Sequence, residues 1–157
     1  MIDKTTLKQK GFQGFLSFTQ LMEGDISKTP SKPGVYVVIK PEGWKLEFMD
    51  HNPGGKYKGR DPTVDRSKLA EKWVDEATVL YIGKTDGTLI ARISKFAKFG
   101  TGKPVAHWGG RYIWQLGDSQ SLLIAWRSAD EPRELEKKMI QSFKVTYGKR
   151  PFANLVG

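Results

Sequence analysis

The sequence predicts a single mixed α/β domain, and three observations lead to that class. Short runs rich in Val, Ile, Leu, Tyr and Trp at residues 35–39, 78–82 and 122–126 have the length and composition of buried strands. Two longer segments, 88–98 and 132–147, place apolar residues at helical spacing. The chain has 157 residues and no cysteine, which suits one hydrophobic core with no disulfide framework and no thiolate zinc site.

Residues 1–32 read as an N-terminal extension of the domain. Phe12, Phe15, Phe18 and Leu21 recur every three residues and predict one face of a short helix, with Gly11 and Gly14 arguing against it. Ser31-Lys32-Pro33-Gly34 is a turn that launches the strand 35–39, and Pro41-Glu42-Gly43 is a second turn. Trp44, Leu46 and Phe48 alternate with Lys45 and Glu47, so residues 34–48 predict a hairpin. Residues 50–64, rich in Gly, Pro and basic side chains, read as a loop. Asp65 stands where it would cap a short helix ending at Trp73.

Leu89, Ile90, Ile93, Phe96 and Ala97 define the helix over 88–98, with Gly100 and Gly102 beyond it. Tyr112-Ile113-Trp114 fits a strand or a helix equally. Pro132 belongs in the first turn of the last helix, where its missing N–H costs nothing. Leu135, Met139, Ile140, Phe143 and Tyr147 give that helix its apolar face, and Gly148 ends it.

Charge narrows the partners. Lys and Arg number 26 against 17 Asp and Glu, for a net charge of +9 and a pI near 9.7. Such an excess favours polyanions. No basic amphipathic helix with a large apolar face points to a membrane surface, and no apolar run approaches the ~18 residues of a membrane span. Residues 1–10 are polar and carry no signal-peptide pattern, so a cytoplasmic protein is expected.

Two charged residues sit on apolar helical faces. Glu136 shares one side of its helix with Met139, Ile140 and Phe143, whereas Glu134 pairs with Lys138 on the surface. Arg92 lies between Leu89 and Phe96 on the buried side of its helix. A glutamate that reaches solvent beside a lysine, and a structural salt bridge for the arginine, account for these positions. So do a metal ligand and a phosphate clamp. Tyr36 and Tyr81 are strand tyrosines flanked by Gly34 and Gly83, positions that fit either core packing or a close backbone approach to a ligand. His107, beside Trp108 and two glycines, is a candidate phosphate contact or proton relay, or a packing histidine. Lys56, Lys58, Arg60, Lys95, Lys98, Lys103 and Arg111 are candidate contacts to a nucleic-acid backbone, or a solvated basic face.

Gly34-Val35-Tyr36 and Tyr81-Ile82-Gly83-Lys84 resemble the two signature motifs of the GIY-YIG nuclease superfamily. The segment 81–96 is similar to that family's strand, turn and arginine helix, and Leu135-Glu136-Lys137-Lys138 to its glutamate helix. Arg150-Pro151-Phe152-Ala153-Asn154 resembles the ending seen in excision-repair members. All five elements occur in the family's order, over about residues 33–156. The two tyrosines stand 45 positions apart (81 minus 36), further than is usual, and an insertion at 40–77 fills the gap as it does in restriction-enzyme members. The segment 107–114 is more similar to a small group of bacterial members than to repair or homing enzymes.

The resemblance implies a small domain with a central, mostly antiparallel sheet of about three strands flanked by helices. It implies a metal-dependent endonuclease that leaves 5′-phosphate and 3′-hydroxyl ends. Glu136 would hold a single Mg²⁺ or Mn²⁺, Arg92 would stabilise the phosphorane, and Tyr36 or Tyr81 would position or deprotonate the water. Lys84 would stand near the phosphate, and Asn154 would orient the site by hydrogen bonding. The implied substrate is duplex or branched DNA. Specificity would be weak, or would come from a homodimer or from the insertion. A nucleic-acid-binding module that keeps the fold without catalysis is the alternative.

Overall fold

A computed structural model describes residues 2–157; Met1, the first residue of the expected N-terminal extension, lies outside it. Four strands form one antiparallel sheet: β1 (Gln13–Ser17), β2 (Gly34–Ile39), β3 (Val79–Thr85) and β4 (Leu123–Ser128), in spatial order β1-β4-β2-β3. Among the described residues five α-helices accompany them: α1 (Lys4–Gln9), α2 (Phe18–Met22), α3 (Arg66–Lys72), α4 (Leu89–Gly100) and α5 (Pro132–Tyr147). Among the described residues no helix is long and apolar enough to cross a membrane.

The sheet separates two apolar layers. Alternation sends Tyr36, Val38, Ile124 and Trp126 to one face, where they meet Phe18 and Leu21 of α2, Ile93 and Phe96 of α4, and Trp114. Val35, Val37, Ile82 and Ala125 point to the other face, against Leu7 of α1 and Met139, Ile140 and Phe143 of α5. Both central strands are thus covered on both sides, which accounts for the unbroken apolar run of β2.

Three expectations are corrected. The sheet has four strands rather than about three, because residues 13–17 form an edge strand where a helix over 12–21 was predicted. Gly14 at φ +97° and Phe15 at φ +56° cannot continue a helix, and a Cβ on Gly14 would lie 2.5 Å from the Trp126 ring. The helix starts only at Phe18, where Ser17 and Gln20 make a capping box.

The 34–48 hairpin does not form. β2 is already paired on both sides, to β3 and β4, which leaves no edge for 44–48. Trp44 and Phe48 instead pack against Trp73, and Phe48 bridges singly to Leu116. The ambiguous 112–114 segment resolves as part of a 3-10 segment, Trp108–Gln115.

The rest of the insertion is pinned by buried amides that act as surrogate backbone. The Gln115 Nε2 donates to the carbonyls of Met49 (2.8 Å) and Val64 (2.7 Å), and its Oε1 accepts from Val64 N at 3.0 Å. The Asn52 Nδ2 donates to the Arg111 carbonyl at 2.8 Å. An irregular segment needs such partners, because each buried backbone group left unpaired costs about 1–3 kcal/mol.

Candidate active site

Strand register builds the centre of the site. Tyr36 on β2 stands opposite Gly83 on β3, and Tyr81 stands opposite Val38, so both tyrosines face α4 with ring centroids 6.1 Å apart. A bulge leaves Leu80 as the extra residue between the Val38–Tyr81 and Ile39–Val79 pairs. The glycine opposite Tyr36 is a steric requirement. A Cβ on Gly83 would lie 2.5 Å from Tyr36 Cζ and 2.6 Å from its hydroxyl.

Tyr36 is 0 % exposed, and its hydroxyl meets His107 Nε2 at 2.7 Å. The His107 ring lies flat on Phe96, with centroids 4.0 Å apart and planes 9° apart. Gly110 makes room for this stack, since a Cβ there would lie 2.9 Å from His107 Cε1. The imidazole is fully buried, and its Nδ1 has no hydrogen-bond partner of sound geometry. The tautomer follows the direction of the Tyr36 bond: Nε2 accepts with the proton on Nδ1, or donates with Nδ1 bare.

Arg92 enters from α4. One guanidinium nitrogen donates to the Ala106 carbonyl at 2.7 Å, which ties the helix to the residue before His107. Its charge acts on the whole cluster. Burial pushes the Tyr36 phenol above the ordinary tyrosine value, and Arg92 opposes that rise. Burial, reinforced by Tyr36, pushes Tyr81 well above it. Burial and then the Arg92 charge hold His107 well below the ordinary histidine value.

Glu136 belongs to α5, which packs on the other face of the sheet, yet its charge reaches both Tyr36 and Tyr81. The side chain is half-buried, and among the described residues it has no hydrogen-bond or ion-pair partner. Desolvation raises its pKa, Lys84 and Arg133 oppose the rise, and Asp86 adds to it. Lys84 follows the strand alternation to the face opposite Tyr81, where its ammonium bonds Asp86 at 2.6 Å. Asn154 spends its amide on β3: Oδ1 accepts from Ile82 N at 2.9 Å and Nδ2 donates to Ile82 O at 2.8 Å. It holds the strand between Tyr81 and Gly83.

Tyr36, Tyr81, Arg92 and His107 therefore converge, Glu136 acts on them electrostatically, and Asn154 supports them through the backbone. Lys56, Lys58, Arg60, Lys95, Lys98 and Lys103 are exposed, and Arg111 is half-buried. Sequence reasoning missed Phe96, the platform for His107, and Asp86, the partner of Lys84. The Gly110 beside the Phe96 stack was the available signal for the first. A groove of about 580 Å³ at the Ile39 end of β2, lined in part by Lys40, Trp44 and Thr78, contains none of these residues.

Compared with protein families, curated proteins and solved structures, the chain matches none.

Proposed function

We propose that this protein is a metal-dependent endonuclease of GIY-YIG type that hydrolyses phosphodiester bonds in DNA, duplex or branched, leaving 5′-phosphate and 3′-hydroxyl ends. The observation that carries the reading is the convergence of two facing tyrosines, an arginine and a histidine on one sheet face, with an unpaired half-buried carboxylate acting on both tyrosines. Buried titratable groups with shifted pKa values, gathered on one face, are a mark of functional sites.

The residues fit a divalent cation held chiefly by water and substrate oxygens. Glu136 offers a carboxylate without a competing partner, and among the described residues no group of three or more His, Cys, Asp or Glu forms a closed cage. When bound, Mg²⁺ or Mn²⁺ supplies charge neutralisation at the leaving oxygen. Arg92 supplies positive charge to the phosphorane from a fixed position. Both phenols stay protonated near neutral pH, so they serve first as hydrogen-bond donors that orient phosphate and water. The His107 Nε2, 2.7 Å from the Tyr36 hydroxyl, fixes the orientation of that phenol.

The test is incubation with supercoiled, linear, branched and single-stranded DNA in Mg²⁺ or Mn²⁺, followed by end-group analysis. Nicks bearing 5′-phosphates support the reading; intact DNA of every form under both metals sinks it. The full burial of Tyr36 and His107 favours a second reading, a nucleic-acid-binding module without catalysis, which predicts binding with no cleavage.

A further inference from the structure

Two guanidinium groups converge on one indole beside the site. The Arg111 Cζ lies 4.4 Å from the centre of the Trp108 ring, and the Arg60 Cζ lies 5.1 Å from it. They come from different segments, Arg60 from the insertion and Arg111 from the 3-10 segment. The backbone of each is held in place. Arg111 donates to the Trp108 carbonyl at 3.1 Å, and its own carbonyl accepts from the buried Asn52 amide. Arg60 closes a tight turn with Tyr57, through Lys58 at φ +54° and Gly59 at φ +75°.

Neither guanidinium has an acidic partner. The ion pairs among the described residues are Lys28–Asp25, Arg66–Asp50 and Lys84–Asp86. Arg111 instead feels the like charge of Arg60. Two guanidinium groups without an acidic partner over one aromatic ring make a site that an anion completes. The chain also ties this site to the chemistry. His107 bonds Tyr36, Trp108 seats the two arginines, and Gly109 adjoins the Tyr81 hydroxyl, at 3.8 Å from where a Cβ would stand.

We propose that Arg60 and Arg111, seated on Trp108, clamp a backbone phosphate of the DNA strand next to the one that is cut. The proposal rests on the nuclease reading, and it gives the insertion a role in substrate binding. Phosphate chemistry is what the clamp recognises, and the DNA backbone is the source that the adjoining tyrosine cluster favours.

The experiment is binding of a fluorescent duplex oligonucleotide over a salt series without divalent metal, by anisotropy. The wild type is expected to lose affinity steeply with salt. Arg60→Gln and Arg111→Gln are each expected to reduce the slope of log K against log salt by about 0.9. Arg60→Lys should keep the slope and lose several-fold in affinity, because the charge stays and the fork is lost. Arg60 is exposed on a loop, so its variants carry the test even if Arg111→Gln fails to fold. A slope equal to wild type in Arg60→Gln overturns the clamp and leaves the nuclease reading standing. A wild type that binds no DNA overturns both. Inorganic phosphate alone is the control probe: if Arg60→Gln abolishes its binding and leaves DNA binding intact, the assignment to the DNA backbone is overturned.

Discussion

The Tyr36 hydroxyl and the His107 Nε2 stand 2.7 Å apart, both fully buried, and join residues 71 positions apart in the chain. The bond ties the central strand to the segment that also receives Arg92 at Ala106. Buried polar pairs of this kind cost stability when half-removed, because the remaining partner loses water and gains nothing.

His107→Ala is therefore expected to destabilise the fold by about 2–4 kcal/mol, from the orphaned Tyr36 hydroxyl and the cavity left over Phe96. Urea unfolding measures it. His107→Gln, which restores a hydrogen-bonding group, should recover part of the loss. A change below about 0.5 kcal/mol for alanine, the size typical of surface substitutions, would mean that the pair contributes little.

His107 also sets a pH dependence. Its folded pKa lies well below its unfolded value, so the unfolded chain binds the extra proton. Its contribution to stability is complete above the unfolded pKa, about 6.5, and is lost as pH falls below it, by at most about 1.4 kcal/mol per pH unit. Glu136, with a raised pKa, has the opposite sign at lower pH. His107→Gln should flatten the slope of unfolding free energy between about pH 7 and 5.5, the variant difference reporting the histidine. Equal slopes in variant and wild type would show that folding leaves the His107 pKa unshifted.

Gly83→Ala places a methyl 2.5 Å from the Tyr36 ring. The tyrosine must move, at a cost of about 1–3 kcal/mol. On the nuclease reading, cleavage should fall at least about tenfold, which corresponds to 1.4 kcal/mol of transition-state stabilisation, while DNA binding stays near wild type. Thermal unfolding and a cleavage assay on the same preparation separate the two effects. Unchanged cleavage would show that the position of Tyr36 does not matter to the chemistry.

Asn154→Ala strips the Ile82 N–H and carbonyl of their partners on an edge strand. The expected loss is about 1–3 kcal/mol, with faster amide exchange confined to β3. Asn154→Asp keeps the acceptor and loses the donor, and should fall between. Amide exchange no faster at Ile82 in Asn154→Ala would contradict this supporting role.

Local pattern carried the two central features of the fold. The apolar run of β2 and the helical spacing of α4 and α5 are properties of neighbouring residues, and so is the shared face of Leu89, Arg92 and Phe96. What the sequence hid is long-range. Residues 44–48 alternate as a strand should, but both edges of β2 are taken by β3 and β4. Residues 12–18 have helical spacing, but two positive-φ residues, placed against Trp126, turn them into β1. His107 was legible as a site candidate and not as the residue behind Tyr36, because its place depends on an irregular segment stacked on α4. Lys84 stands on the α5 side of the sheet, where its charge acts on Glu136, and its bond to Asp86 was not legible.

The most direct test of the account compares wild type with Glu136→Ala in Mg²⁺ on the best-cut DNA substrate, with DNA binding measured in parallel. Metal-dependent nicking by the wild type, its loss in the variant, and equal DNA binding by both are expected. Equal nicking by the two proteins would contradict the account, because Glu136 is the carboxylate to which the metal is assigned.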